Sequence, residues 1–394
     1  MKILCVGGGS GGHITPIVAV VKKVREPKKH VDIRVWCDRK FSGRARELMG
    51  GSARIDIIVS GKWRRYANLS LWTKIRYHIF KTYLRNFIDI FKIAFGVMQS
   101  FVKLIIWRPN VIFLKGGFVC LPVGVAAYIL KIPIVIHDSD TTPGLTNKIL
   151  AKFATAIGTG SPVENYPDYP KSKTRFVGVP IRDGLHRFSH AEQNQAKKQL
   201  GFDMEKKLIF VAGGGQGARG LNRVTAKIAP KLVENGMQIL LMSGKNDISK
   251  IESLDLKKTD FRVVEFLTDD YIPAIAAADI VVTRAGATTM AELAAAGKAV
   301  IIVPNAHLSG DHQTKNARVY ENADAAMMFI QDDLSEKPEI LLNAIKKLAG
   351  DSELREKFSA NLLKFARPNA LNEIIEMIFD VAKKSQKSRQ KGEK

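Results

Sequence analysis

Cysteine is scarce in this chain. Three occur in 394 residues, Cys5, Cys37 and Cys120, too far apart for a disulfide framework and in no metal-binding spacing. Thiols used this sparingly suit a reducing compartment, and the simplest reading of each is a small apolar residue in the core. Acid is scarce relative to base. Asp and Glu number 38 against 61 Lys and Arg, a net charge of +23 that calls for an anionic partner: nucleic acid, an acidic membrane surface or a phosphorylated ligand. A long uncharged apolar run is missing. The greasiest segment, 87–107, contains Asp89, Lys92 and Lys103; its longest uncharged piece, Ile93–Val102, falls short of the ~18 residues a membrane-crossing helix needs, so no span is expected. Nor is a signal peptide expected, because Met1-Lys2 leads straight into a strand-like run. No Asp-x-Asp is placed to clamp a metal, and His312 has no second His or carboxylate at ligand spacing; neither metal nor cofactor is expected.

What the chain does have is alternation. Strand-like runs at Ile3–Val6, Ile33–Cys37, Ile55–Val59, Val111–Leu114, Ile134–His137 and Phe176–Val177 are separated mostly by helix-length stretches. After an irregular passage at 178–190 the pattern restarts with Lys207–Ala212, Met237–Met242, Arg262–Glu265, Asp279–Thr283, Val300–Val303 and Met327–Ile330. This predicts an α/β chain of two doubly wound, Rossmann-like domains. The expected division is 1–182, then 183–366, a helix at 367–384 packing back on the first domain, and a disordered basic tail at 385–394.

Each half opens with a strand running into glycines, "VGGGSGG" in the first and "VAGGGQGARG" in the second. Glycine permits positive φ and close approach to a phosphate, and the following helix N-terminus offers unpaired N–H groups. Gly7-x-Gly9-x-x-Gly12 fits a dinucleotide fingerprint, and Asp38 lies where a ribose-binding acid would. His13 and Pro16 at the end of the loop, and the second glycine turn, argue against a dehydrogenase. Two such turns suit a diphosphate on one domain and a second anionic partner on the other.

The stretch 266–317 is the most specific. In "RAGATTMAEL" the small, hydroxyl-rich residues form a helix entry, and Glu292 lies within the helix, where its carboxylate could accept from the cis hydroxyls of a ribose or, equally, close a capping box with Thr289. His312 and Gln313 follow a strand end in "DHQTKNA", uncharged groups suited to sugar hydroxyls, although such a pattern is commonly a polar loop.

Seven motifs taken together resemble the MurG family of bacterial N-acetylglucosaminyltransferases, which convert lipid I to lipid II: "GGGSGGHITP", "KGGFVCLPVGVAA", "HDSDTTPGLTNKILAKFA", "GVPIR", "GGGQGARGLN", "RAGATTMAEL" and "DHQTKNA", in the family's order, over residues 2 to about 380. The resemblance implies a GT-B fold with its active site in a cleft between the domains, UDP-N-acetylglucosamine as donor and lipid I as acceptor. It implies that Leu267 offers its backbone to uracil, that Glu292 takes the ribose, and that Ala287, Thr288 and Thr289 present a helix end to the diphosphate with Gly215 and Gln216. His312 and Gln313 would read the sugar, Arg182 would approach the nucleotide, and Ser10, Gly11, Gly12, His13 and Asp140 would face the cleft from the first domain. The chain departs from the family pattern at Asp138, usually Glu, at Gly215, usually Ser, and in the length and greasiness of 62–108. The implied reaction inverts the anomeric carbon in one step, with His13 or Asp138 as general base; His13 is favoured because imidazole titrates near working pH.

From Lys62 to Arg108 ten basic residues face one acid, Asp89, and apolar residues recur at 75, 79, 83, 87, 91 and 95. A helix so patterned would lie on an anionic bilayer, at the cytoplasmic face of the cell membrane, with Trp63, Trp72, Ile75, Ile79, Phe80 and Lys81 in contact; the other reading is a core helix with a solvated rim. No nucleic-acid motif appears, so no nucleic-acid partner is expected. The rivals are a GT-B transferase acting on another lipid, such as a diacylglycerol galactosyltransferase, a UDP-N-acetylglucosamine epimerase, and a non-catalytic nucleotide-sugar-binding subunit.

Overall fold

A computed structural model describes residues 1–9, 11–25, 31–63, 79–214, 217–245, 251, 256–306 and 311–392. It divides into two compact units, Met1–Pro180 with Pro368–Lys394, and Ile181–Arg367.

The first unit is built on seven parallel strands: β1 (Lys2–Gly7), β2 (Asp32–Cys37), β3 (Arg54–Ile57), β4 (Val111–Gly116), β5 (Ile134–Asp138), β6 (Ala156–Thr159) and β7 (Thr174–Phe176), in the order β3-β2-β1-β4-β5-β6-β7. Described α-helices before residue 180 are α1 (Gly11–Arg25), α2 (Arg39–Met49), α3 (Ile79–Ile106), α4 (Cys120–Ile129) and α5 (Leu145–Leu150). Central strands are apolar at successive residues because helices cover both faces of the sheet. Ile3 and Cys5 join one core with Ile17, Val21 and Val35, while Leu4 and Val6 join the other with Leu104, Leu114 and Val123. All three cysteines are buried and free, and burial pushes the Cys5 and Cys120 thiols up to about 12, so they act as small apolar residues.

Among the described residues the second unit has six parallel strands, β8 (Lys207–Ala212), β9 (Met237–Met242), β10 (Phe261–Val264), β11 (Ile280–Thr283), β12 (Ala299–Ile302) and β13 (Met327–Met328), in the order β10-β9-β8-β11-β12-β13. Around it lie α6 (His190–Gln199), α7 (Arg219–Glu234), α8 (Tyr271–Ala277), α9 (Ala287–Ala296), α10 (His312–Asn322), α11 (Gln331–Glu336), α12 (Glu339–Gly350) and α13 (Ser352–Leu363). In both sheets the strand order reverses beside the first strand, between β1 and β4 and between β8 and β11. The crevice at the carboxyl ends of such a reversal is where doubly wound folds hold ligands.

The last helix, α14 (Ala370–Gly392), buries Ile374, Met377, Ile378 and Val381 in the core of the first unit. It corrects the expected tail: the helix continues through 385 as far as Gly392, since Lys, Gln and Arg are good helix formers and no proline intervenes. Strand β6 is an addition to the sequence reading; four residues with an internal glycine give too short a signal.

Candidate functional site

In the first unit, β1 ends in Gly7 and α1 starts at Gly11. Ser10 lies outside the described residues, and Gly11 and Gly12 open the helix. His13, in that first turn, is half-buried, and its Nδ1 donates to the Gly8 carbonyl at 2.7 Å. The proton is therefore held on Nδ1, and the lone pair of the neutral ring is on Nε2. The ring lies against the end of β4, where a Cβ at Gly116 would be 3.4 Å from Nε2. Asp38 has a different job from the ribose contact its position suggested. Its carboxylate accepts from the Gly9 N–H at 2.8 Å and, as the cap of α2, from the Lys40 N–H at 3.0 Å. That commits it to shaping the glycine loop.

Two strands along, the His137-Asp138 pair splits by strand alternation. His137 is fully buried, its Nε2 donates to the Gly178 carbonyl at 2.8 Å, and burial holds it neutral. Asp138, the last residue of β5, accepts the Tyr169 hydroxyl at 2.8 Å. Burial and then the charge of Asp140 push its carboxyl up to about 6, against the hydrogen bonds from Tyr169 and Asn147 and the charge of Lys115. Lys115 is itself buried and donates to Ser139 Oγ at 2.8 Å. The half-buried Asp140 offers its backbone carbonyl to the Tyr166 hydroxyl at 2.7 Å. Tyr166, Tyr169 and Lys115 were not anticipated. Each lies far from its partner in sequence or carries no motif, so only the fold brings them here.

In the second unit the equivalent edge is held by side chains. Glu292, in α9, is 2% exposed; Arg182 Nη1 approaches Oε1 at 3.0 Å and the Tyr271 hydroxyl donates to Oε2 at 3.0 Å. The Arg182 guanidinium also lies over the Tyr271 ring, 4.1 Å from its centroid. Burial raises the Glu292 carboxyl above its ordinary value, opposed by Arg182 and the Tyr271 hydroxyl. The capping-box alternative is excluded: the cap of α9 is Gly286, so Thr289 is inside the helix, and no side chain bonds to the cap. Ala287, Thr288 and Thr289 form the first turn, whose N–H groups have no partner within the helix. The turn before it is fixed from two sides. Arg284 turns inward to donate to the Val303 carbonyl at 2.8 Å and to the Gln331 side chain, and the buried Asn316 donates to the Ala285 carbonyl at 3.0 Å.

Leu267 buries its side chain in the core beside α8. His312 and Gln313 open helix α10 rather than a loop, and Gln313 Oε1 accepts the Asn305 N–H at 3.0 Å. Gly215 and Gln216 lie outside the described residues.

Helix α3 packs Val97, Phe101 and Leu104 against the core and carries a second apolar face as well. Asn86, Asp89 and Ser100 are buried, the Gln99 amide accepts the Val59 N–H at 2.9 Å, and Gly96 lets the Val59 carbonyl approach. Outward, Phe87, Phe91, Phe95, Met98, Val102 and Ile106 form one stripe at spacings of three and four, from 51% to 79% exposed. The cationic flanks are partly committed, Lys92 to Asp89 at 3.1 Å and Lys103 to Asp56 at 3.3 Å. Of the residues expected at a membrane, Trp63 is exposed, Trp72 and Ile75 lie outside the described residues, and Ile79, Phe80 and Lys81 begin α3 with side chains that also lie outside them. Among the described residues no helix is long and apolar enough to cross a membrane.

Two family models match: the glycosyltransferase family 28 N-terminal domain over residues 3–159 and the glycosyltransferase family 28 C-terminal domain over 208–374. A curated protein of Clostridium perfringens, a UDP-N-acetylglucosamine–N-acetylmuramyl-(pentapeptide) pyrophosphoryl-undecaprenol N-acetylglucosamine transferase, is 32% identical over 380 residues, 96% of this chain and 97% of its own length. A protein of the same name from a Thermoanaerobacter species is 33% identical, over 97% of this chain and all of its own length. Among solved structures, Acinetobacter baumannii MurG superposes with a TM-score of 0.74 at 22% identity, covering 96% of this chain and 99% of that one. The glycosyltransferase CalG4 gives 0.65 at 13% identity, over 95% and 97%. These structures establish the α/β fold as GT-B in kind, two Rossmann-like domains.

Proposed function

Because the chain belongs to glycosyltransferase family 28, and within it to the UDP-N-acetylglucosamine–N-acetylmuramyl-(pentapeptide) pyrophosphoryl-undecaprenol N-acetylglucosamine transferases, we propose that it moves N-acetylglucosamine from UDP-N-acetylglucosamine to lipid I, giving lipid II. The observation that carries this is identity above 30% along nearly the whole length of both partners, with both domains of the family present. In the reaction the 4-hydroxyl of the muramyl sugar attacks the anomeric carbon, the bond to the UDP oxygen breaks, and the configuration inverts. The hydroxyl proton goes to His13 Nε2, the ring atom that the Gly8 hydrogen bond leaves as the base. UDP departs toward the first turn of α9, whose N–H groups and dipole favour the negative charge. Glu292 receives the ribose hydroxyls on lone pairs not used by Arg182 and Tyr271, so Arg182 acts on the nucleotide through the carboxylate it orients. Asp138, its carboxyl raised to about 6 by burial, is the second candidate base on the acceptor side.

The acceptor is a lipid, and the outward stripe of α3 is its membrane contact, on the cytoplasmic face of the cell membrane and peripheral. The stripe from Phe87 to Ile106, joined by Trp63, supplies apolar area, and the surplus of base supplies attraction to acidic lipid at about 1 kcal/mol per Lys or Arg at the surface.

The test is transfer of radiolabelled sugar from UDP-N-acetylglucosamine to a lipid I analogue, with diacylglycerol as a parallel acceptor. Label in the lipid I product alone is expected. Label in the diacylglycerol product alone would place the chain with the transferases of other lipids, and label in neither would overturn the assignment.

A further inference from the structure

The hydrogen bonds to Asp38 and to His13 fall on the two ends of one peptide group. Gly8 supplies the carbonyl that accepts His13 Nδ1–H at 2.7 Å; Gly9 supplies the N–H that donates to Asp38 Oδ2 at 2.8 Å. The peptide is trans, so its C=O and N–H point in opposite directions, and carboxylate, amide and imidazole form one continuous chain. The surroundings are shaped to this chain. A Cβ at Gly8 would stand 2.3 Å from Asp38 Oδ2, and a Cβ at Gly117 would stand 2.0 Å from the Gly8 oxygen and 3.1 Å from His13 Nδ1. Asp38 is buried and His13 half-buried, so neither bond is fully exposed to water.

We propose that Asp38 is a positioning residue for the transferase reaction, acting on His13 through the Gly8–Gly9 peptide as a carboxylate does directly in a catalytic triad. A carboxylate on the N–H polarises the amide, increases the negative charge on its oxygen and strengthens the bond to Nδ1–H. The imidazole is thereby fixed in the tautomer that keeps Nε2 basic, and the imidazolium formed on proton capture is stabilised. The sequence places these residues twenty-five apart, with nothing to link them. This inference rests on the reading of His13 as the base.

Asp38→Asn tests it: the one amide oxygen can still cap α2 on the Lys40 N–H, while the carboxylate oxygen that accepts the Gly9 N–H is replaced by an NH2 that cannot accept, so the charge and its bond to the peptide are lost together. The charged groups at the ends of the neighbouring strands, Lys115 in β4, Asp138 in β5 and Asp140 just beyond it, stay unchanged. The variant is expected to lose about tenfold in kcat, with the KM for UDP-N-acetylglucosamine unaltered, and to shift the acid limb of its pH–rate profile down by roughly one unit. The same shift is expected without any turnover, in the titration of the His13 resonance in protein labelled with 15N-histidine, assigned by loss of the peak in His13→Gln. Gly8→Ala, which pushes the carboxylate off the Gly9 N–H, should reproduce both effects. An Asp38→Asn protein whose His13 midpoint and acid limb match the wild type would overturn the relay. Failure of the wild type to transfer sugar would instead overturn the transferase reading, and the resonance titration would still decide the relay.

Discussion

The two units have the same architecture but hold their edges differently. In the first, the candidate base is fixed by backbone: His13 by the Gly8 carbonyl, and the loop carrying it by the Gly9 N–H on Asp38. In the second, the candidate ligand-binding carboxylate is fixed by side chains, Arg182 and Tyr271 on the two oxygens of Glu292. A backbone-held imidazole can gain and lose a proton without losing its anchor. A carboxylate bracketed by a cation and a hydroxyl stays where it is, as an acceptor for a ligand. The outer surfaces differ in the same way. Helix α7 of the second unit buries Leu221, Val224, Ile228 and Leu232, as an amphipathic helix in water does, whereas α3 of the first turns Phe87, Phe91 and Phe95 outward. Under the proposed function, the first unit would take the proton and meet a non-aqueous surface, and the second would grip the ligand.

If that contrast is right, substitutions in the two units separate turnover from donor binding. The largest effect belongs to His13→Ala, which should lower kcat by about 100- to 10,000-fold while UDP affinity, measured calorimetrically, is retained. Near-wild-type turnover would remove His13 as the base. Next is the outward stripe. Phe87→Ser, Phe91→Ser and Phe95→Ser together should reduce co-sedimentation with anionic vesicles at physiological salt by about 100-fold, with the fold unchanged by circular dichroism, because these side chains lie outside the core. The same changes on a core helix such as α7 would unfold the unit.

Asp138 gives a pH-dependent contrast. Its carboxyl is raised to about 6 in the folded chain against an ordinary value near 3.8. The unfolded chain therefore releases this proton first, and the folded state loses stability as pH rises between those values, with the full penalty present above the upper one. Asp138→Asn should accordingly gain stability relative to the wild type as pH rises from 4 to 7, by on the order of 2–3 kcal/mol at the upper end, read as a growing difference in Tm. A pH-independent difference would show that burial does not govern this group. The smallest effect is in the second unit. Tyr271→Phe removes one donor from Glu292 and should raise the donor KM about fivefold, roughly 1 kcal/mol, with kcat almost unchanged. A fall in kcat without a change in KM would contradict the division of labour between the units.

Much of the fold was legible from the chain. Runs such as Lys207–Ala212 and Met237–Met242 coincide with β8 and β9, since a strand buried on both faces is apolar at nearly every residue. Strand β6 was missed for want of such a run, and the basic tail was read as disorder although its residues favour helix. In the site, glycines and small residues gave away the two strand–helix turns, because close backbone approach restricts residue type. The fate of Glu292 was left open between cap and ligand, and Asp38 looked like a ribose acid, because a carboxylate's role depends on which donors reach it.

The sequence alone determined two parallel sheets, a glycine-edged turn in each, a surplus of base and a greasy segment near residue 90. These follow from local residue type and period, which the chain carries whatever its long-range contacts. Only the tertiary structure decided that the stripe from Phe87 to Ile106 of α3 faces outward, that Tyr271 and Arg182 share Glu292, and that Asp38 and His13 meet across one peptide. Those are contacts between residues distant in the chain or turned across a loop, and their strength depends on burial and direction, which no spacing in the sequence records.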